Sequence, residues 1–157
     1  MKITLFVTGK TDQAYLRQGI ENYVKRLSHY SNFEIIEHSL ARKIKDLPPA
    51  QQKQKEAETM LQQMTKADFC VLLDERGKTF SSVEFSEFLQ QRMNQSVKNL
   101  LFLVGGPWGF NEAVKAKAHL NLSLSKMTFS HQMVRLFFLE QLYRAFTILR
   151  GEPYHND

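Results

Sequence analysis

Two segments in the last third of the chain carry residue types from which a small-molecule site is built. Leu101-Phe-Leu-Val-Gly-Gly-Pro-Trp-Gly109 and Leu122-Ser-Leu-Ser-Lys-Met-Thr-Phe-Ser-His131 have the same form. Each runs as an apolar strand into a short loop of glycines or small polar residues, and each loop opens a helix. Two such loops at the carboxyl ends of strands make a ligand cleft in an open α/β sheet. Gly105 and Gly106 let a ligand approach the backbone, Pro107 makes a rigid turn, and Trp108 adds an exposed aromatic. The second loop, residues 125–130, offers main-chain donors and acceptors between apolar side chains and no acidic group for a metal or a ribose hydroxyl. Such a lining suits an adenine or a thioether. It suits phosphate poorly, although Lys126 is available.

Other chemistries fail on spacing. Gly77-Lys-Thr79 would be a phosphate loop only with a glycine five residues before Gly77, where Leu72 stands. A plain turn is the expectation there. Gly105 to Gly109 does not match the dinucleotide fingerprint. The histidines at 29, 38, 119, 131 and 155 fit no metal-ligand spacing, and Cys70, the only cysteine, lies in an apolar run and is expected in the core. No G-x-S-x-G elbow exists for a serine hydrolase.

The C-terminal end is basic. His131 and Arg135 stand one turn apart, Arg144 and Arg150 follow, and the tail closes on Pro153-Tyr-His155. Glu140 and Arg144 have the spacing of an ordinary helix ion pair. Arg135, set among apolar neighbours, is expected beside the cleft, where a guanidinium is suited to phosphate. Tyr154 has the ring to stack on a base, and His155 the imidazole to move a proton. An idle, frayed tail fits the same residues equally well.

These groups need a scaffold, and the chain alternates strand and helix signals. Strands are expected over residues 2–8, 33–38, 69–73, 100–104 and 120–124. Asp12 is placed to cap a helix over 13–29, and residues 39–50, with Pro48-Pro49, read as a loop. A helix follows over 51–64. Ser81 and Glu84 form a capping box for a helix with Val83, Phe85, Phe88, Leu89 and Met93 facing inward. Asn111 caps a short helix, and Ser130 caps the last one, which Gly151 and Pro153 end. Regular alternation argues for one α/β domain over residues 1–157, with a mainly parallel sheet and helices on both faces. The last helix is apolar around most of its circumference, so a second subunit is the natural cover.

At 157 residues with 43% apolar content the chain can bury a core, and no apolar run approaches a membrane span. The N-terminus reads as a buried strand, not a signal peptide, and the lone cysteine points to a cytoplasmic home. A net charge of +5 and a pI near 9.4 favour anionic partners, nucleic acid above all.

The run Phe102–Phe110, the run Leu122–Arg135, the stretch Glu140–Phe146 and the ending Pro153-Tyr-His155 together resemble the H-type large-subunit rRNA methyltransferases. These are the 23S rRNA pseudouridine N3-methyltransferases of the SPOUT superfamily. The likeness covers the whole chain and is weakest over residues 39–66. It implies a C-terminal trefoil knot in roughly residues 100–157, a homodimer, and action on 23S rRNA (the helix 69 region) within the assembled ribosome. It also implies S-adenosylmethionine as methyl donor, held by Leu73, Gly105, Gly106 and Leu124, Ser125, Lys126, Met127, Thr128 and Phe129. The catalytic set would be His155, Tyr154 and Arg135, with His155 leading as proton acceptor. Arg135, Arg144 and His131 would face RNA. Trp108 receives no role. No metal is expected. A non-catalytic RNA-binding module is the alternative, and a nucleotide hydrolase a distant third.

Overall fold

Alternate residues of the strands point to two separate cores, and this places the helices. Ile3, Leu5, Val7, Val71, Leu73, Leu100, Phe102 and Val104 pack into one buried cluster, while Phe6, Cys70, Leu72, Leu101 and Leu103 pack into another. A strand apolar on both faces must be covered on both. The computed structural model describes residues 1–156. It shows strands β1 (Lys2–Thr8), β2 (Asn32–His38), β3 (Phe69–Thr79), β4 (Asn99–Val104) and β5 (Leu120–Ser123) in one sheet, ordered β2-β1-β4-β3-β5 with every pair parallel.

Helices α1 (Ala14–Leu27), α4 (Ser82–Asn94) and α6 (Met133–Leu149) supply side chains to the first core; α3 (Pro49–Met64) and α5 (Glu112–Lys117) supply the second. The expected α/β sheet with helices on both faces is present. Among the described residues, no helix is long and apolar enough to cross a membrane.

Local signals hold in several places. Ser81 and Glu84 make both bonds of the capping box, and the Asn111 side chain accepts from the Val114 N–H. Gly151, at φ +66°, sends its N–H to Ile148 O, and Glu152 N–H bonds Thr147 O. These are the two bonds of a Schellman close. Phe85, Phe88 and Leu89 are buried as expected, but Val83 is exposed, since it sits on the first turn beyond the edge of the core.

Other expectations need correction. Asp12 does not cap α1, whose N-cap is Gln13 with no side-chain bond. The Asp12 carboxylate instead accepts from Gln132 Nε2 at 2.8 Å, tying this loop to the start of α6. The loop before α3 contains a short helix, α2 (Arg42–Lys45), and α3 begins early because Pro49 is preset for a first helical turn.

The largest correction concerns β3. Leu73 and Lys78 both pair with Leu122, so residues 74–77 bulge out of the ladder and the strand resumes as far as Thr79. Gly77-Lys-Thr79 is therefore strand, not turn. Gly77 permits it, because a Cβ there would lie 2.6 Å from the Asn121 carbonyl carbon and oxygen. The Gly77→Ala variant is expected to lose about 1–3 kcal/mol of stability through this backbone clash, measured by urea unfolding.

Candidate active site

The bulge in β3 and the loops after β4 and β5 converge. A cavity of about 580 Å³ opens where they meet, within the size range of small-molecule sites. Of the residues expected to hold a cofactor, Leu73, Gly105, Gly106, Leu124, Ser125, Met127, Thr128 and Phe129 line it. Lys126 does not, although both its neighbours do; its side chain faces solvent. His131 and Val134 bring the start of α6 to the same wall.

The second loop is held by its own small hydroxyls. Ser123 Oγ donates to Ser125 O at 2.7 Å, and Ser125 Oγ accepts from the Met127 N–H at 2.9 Å. Ser130 Oγ accepts from the Met133 N–H at 3.1 Å, so it satisfies a first-turn amide although Gln132 is the N-cap. Thr128 Oγ1 donates to Glu75 Oε2 at 2.6 Å, joining this loop to the bulge.

Glu75, with Asp74 and Arg76, is a group of site residues that sequence reasoning passed over. The signal was there: an apolar strand running into Asp74-Glu-Arg-Gly77 has the same form as the two segments that were read as a cleft. A second missed residue lies behind the glycine loop. Glu56 of α3 is only 3% exposed, and its Oε2 accepts from the Gly106 N–H at 3.2 Å. Burial pushes its carboxyl above the ordinary range, while the Gly106 N–H pulls it back.

Arg135 is not in the cleft. It is 0% exposed and spends its donors inside the fold. Nη1 donates to Gly9 O (3.0 Å) and Thr11 Oγ1 (2.9 Å), Nη2 to Thr8 O (2.8 Å), and Nε to His131 O (3.1 Å). The Glu37 carboxylate stands 3.7 Å from Nη1. The expected role of Arg135 in catalysis and phosphate recognition is therefore corrected: its apolar neighbours signalled burial, and it is a clasp between β1 and α6. His131 keeps a place at the cavity, where burial and then the Arg135 charge hold its imidazole below the usual pKa.

The C-terminal tail is packed rather than frayed. Tyr154 Oη lies 3.3 Å from Tyr23 Oη and donates to Glu140 Oε1 at 3.2 Å; Tyr30 donates to the Glu152 carboxylate. Arg144 bonds Glu140 at 2.5 Å, covers the Tyr154 ring at 4.8 Å, and reaches within 3.3 Å of His155 Nδ1. Burial and the Tyr23 hydroxyl push the Tyr154 phenol well above its usual range. Tyr154, His155 and Arg144 thus form one cluster, but not at the cavity. Val134, at the cavity wall, and Arg144 are ten residues apart on α6, about 15 Å along a helix.

Comparison with known proteins gives a consistent result. Residues 1–155 match a family described as "Predicted SPOUT methyltransferase". The chain is 54% identical over 156 residues to a ribosomal RNA large subunit methyltransferase H of Flavobacterium johnsoniae, covering 99% of both chains. It is 52% identical over 157 residues to the protein of the same name from Parabacteroides distasonis, covering 100% of each. The crystal structure of a probable methylase family protein from Haemophilus influenzae superposes with a TM-score of 0.52 at 11% identity, over 99% of this chain and 70% of that one; this likeness concerns the fold alone.

Arg135→Ala should leave three main-chain carbonyls and Thr11 without their donor. A stability loss of about 3 kcal/mol or more is expected in urea unfolding.

Proposed function

The chain belongs to the SPOUT methyltransferase family, and from that premise we propose that it methylates N3 of a pseudouridine in the helix 69 region of 23S rRNA, within the assembled ribosome. The coarser activity is methylation of large-subunit ribosomal RNA with S-adenosylmethionine as donor. The observation that supports the reading is the cavity itself, built from the β3 bulge and the two loops.

The cavity residues fit that donor. Apolar walls from Leu73, Val104, Leu122 and Leu124 suit a thioether chain, and the two glycines present main-chain groups suited to an adenine. Asp74 and Glu75 put negative charge on a wall that would take a cationic ligand. When bound, the donor supplies a methyl group already activated toward in-line attack.

The remaining tasks fall to side chains of this chain: align the base, remove its N3 proton, and hold the RNA. His155 is assigned the proton, Tyr154 the stacking contact, and Arg144 a charge beside them. Of the stretch expected to hold the trefoil knot of the family, residues 100–156 are assigned it, in keeping with three chain segments meeting at one cavity, and residue 157 lies outside the described residues. Because the tail cluster lies about 15 Å along α6 from the cavity wall, we assign it to the cavity of a second protomer. Phe137, 41% exposed and with its ring tilted against that of Phe129 at 4.7 Å between centroids, offers apolar surface beside the cavity for that two-fold contact.

Calorimetric titration is expected to show binding of S-adenosylmethionine and none of ATP; the reverse result sinks the reading. His155→Ala should keep that binding and lose about 10²–10⁴ in turnover on ribosomes lacking the modification. Turnover equal to wild type would remove His155 as the base. Ribosome affinity should fall steeply with added salt, as phosphate recognition by a protein of net charge +5 requires.

A further inference from the structure

The segment least informative in sequence, around residues 52–56, makes three bonds to the glycine loop. Trp108 Nε1 donates to Gln52 Oε1 at 3.2 Å, Asn111 Nδ2 to Gln54 Oε1 at 3.1 Å, and the Gly106 N–H to Glu56 Oε2 at 3.2 Å. The first two lie at the surface, where water can replace either partner. The third is buried. A buried amide must find an acceptor, and Gly106 stands just past the end of β4, beyond the sheet ladder.

Glu56 is costly where it sits. Its neighbour Ala57 and the next turn's Met60 are each 1% exposed in the apolar core. A carboxyl buried beside them loses hydration that an apolar side chain would not need. What it returns is geometric. In a trans peptide the C=O and the following N–H point opposite ways, and no peptide among the described residues is cis. Drawing the Gly106 N–H toward α3 therefore turns the Gly105 carbonyl away from α3, and Gly105 lines the cavity. The turn is closed on the other side by Gly109 N–H on Gly106 O at 3.1 Å.

We propose that Glu56 is a positioning residue for the methyl donor: by holding the Gly106 amide it fixes the Gly105 carbonyl as a hydrogen-bond acceptor facing the cavity. This rests on the reading of that cavity as the S-adenosylmethionine site. Glu56 touches no substrate itself. Its contribution is to cofactor affinity and not to the chemical step.

The test separates positioning from folding. Glu56→Met leaves the Gly106 N–H without its acceptor but also removes a carboxyl that is costly to bury, so the two effects partly offset and its melting temperature should fall by only a few degrees. Its affinity for S-adenosylmethionine, by calorimetry, should fall about ten-fold or more, with kcat at saturating donor nearly unchanged. Glu56→Gln keeps an acceptor oxygen at the same reach and should recover most of the affinity. Binding by Glu56→Met within two-fold of wild type overturns the proposal, as does a Glu56→Gln protein equally weak as Glu56→Met. Should Glu56→Met not fold, amide exchange on the wild type decides: a Gly106 N–H protected far beyond that of Trp108 supports the bond, and one exchanging as fast overturns it. Wild-type protein that fails to bind the donor overturns the cavity reading instead, a distinguishable result.

Discussion

One buried guanidinium sets the frame for the site. Arg135 reaches from α6 to the carbonyls at the end of β1, to Thr11 and toward Glu37 at the end of β2. These are strand ends that would otherwise carry unpaired carbonyls at the top of the sheet. With one side chain the fold satisfies them and fixes where α6 starts. The start of α6 gives the cavity His131 and Val134; its far end carries Glu140 and Arg144, on which the tail is built. A shift at Arg135 would move both ends together. Arginine suits the task because its planar fork serves several acceptors at fixed angles, which a lysine cannot.

Much of this was legible in the chain. Strand positions followed from short apolar runs, and β1 and the capping box at Ser81 were readable almost to the residue. The two loops were readable as halves of a pocket because two of the same form stand at the carboxyl ends of strands, whereas one alone fits a plain turn equally well. What escaped has physical reasons. A bulge leaves no periodic trace, so the return of β3 at Lys78 was invisible and its carboxylates went unassigned. The place of Arg135 is ambiguous in sequence, because charge among apolar neighbours fits either a cleft or a fully bonded burial. Glu56 looked like one more polar position on a polar helix. Only the packing of that helix under Gly106 distinguishes it from Glu58, which pairs at the surface with Lys55.

The position of the tail was likewise beyond sequence reasoning. Its residue types spoke to base stacking and proton transfer, and those types are intact. Their distance from the cavity depends on how α6 lies against α1, through contacts such as Gly19 on Leu136, where a Cβ would come within 2.9 Å of the leucine. A single helix thus separates the tail cluster from the cavity, and the proposal of a second copy rests on that separation.

Trp108 is the only tryptophan of the chain, it is 48% exposed, and its indole is bonded to α3 from within the glycine loop. The molecule therefore carries one indole, beside five tyrosines, and that indole stands at the rim of its cleft. Emission excited at the red edge, where tyrosine does not absorb, comes from that loop, so its surroundings are readable in an unlabelled sample.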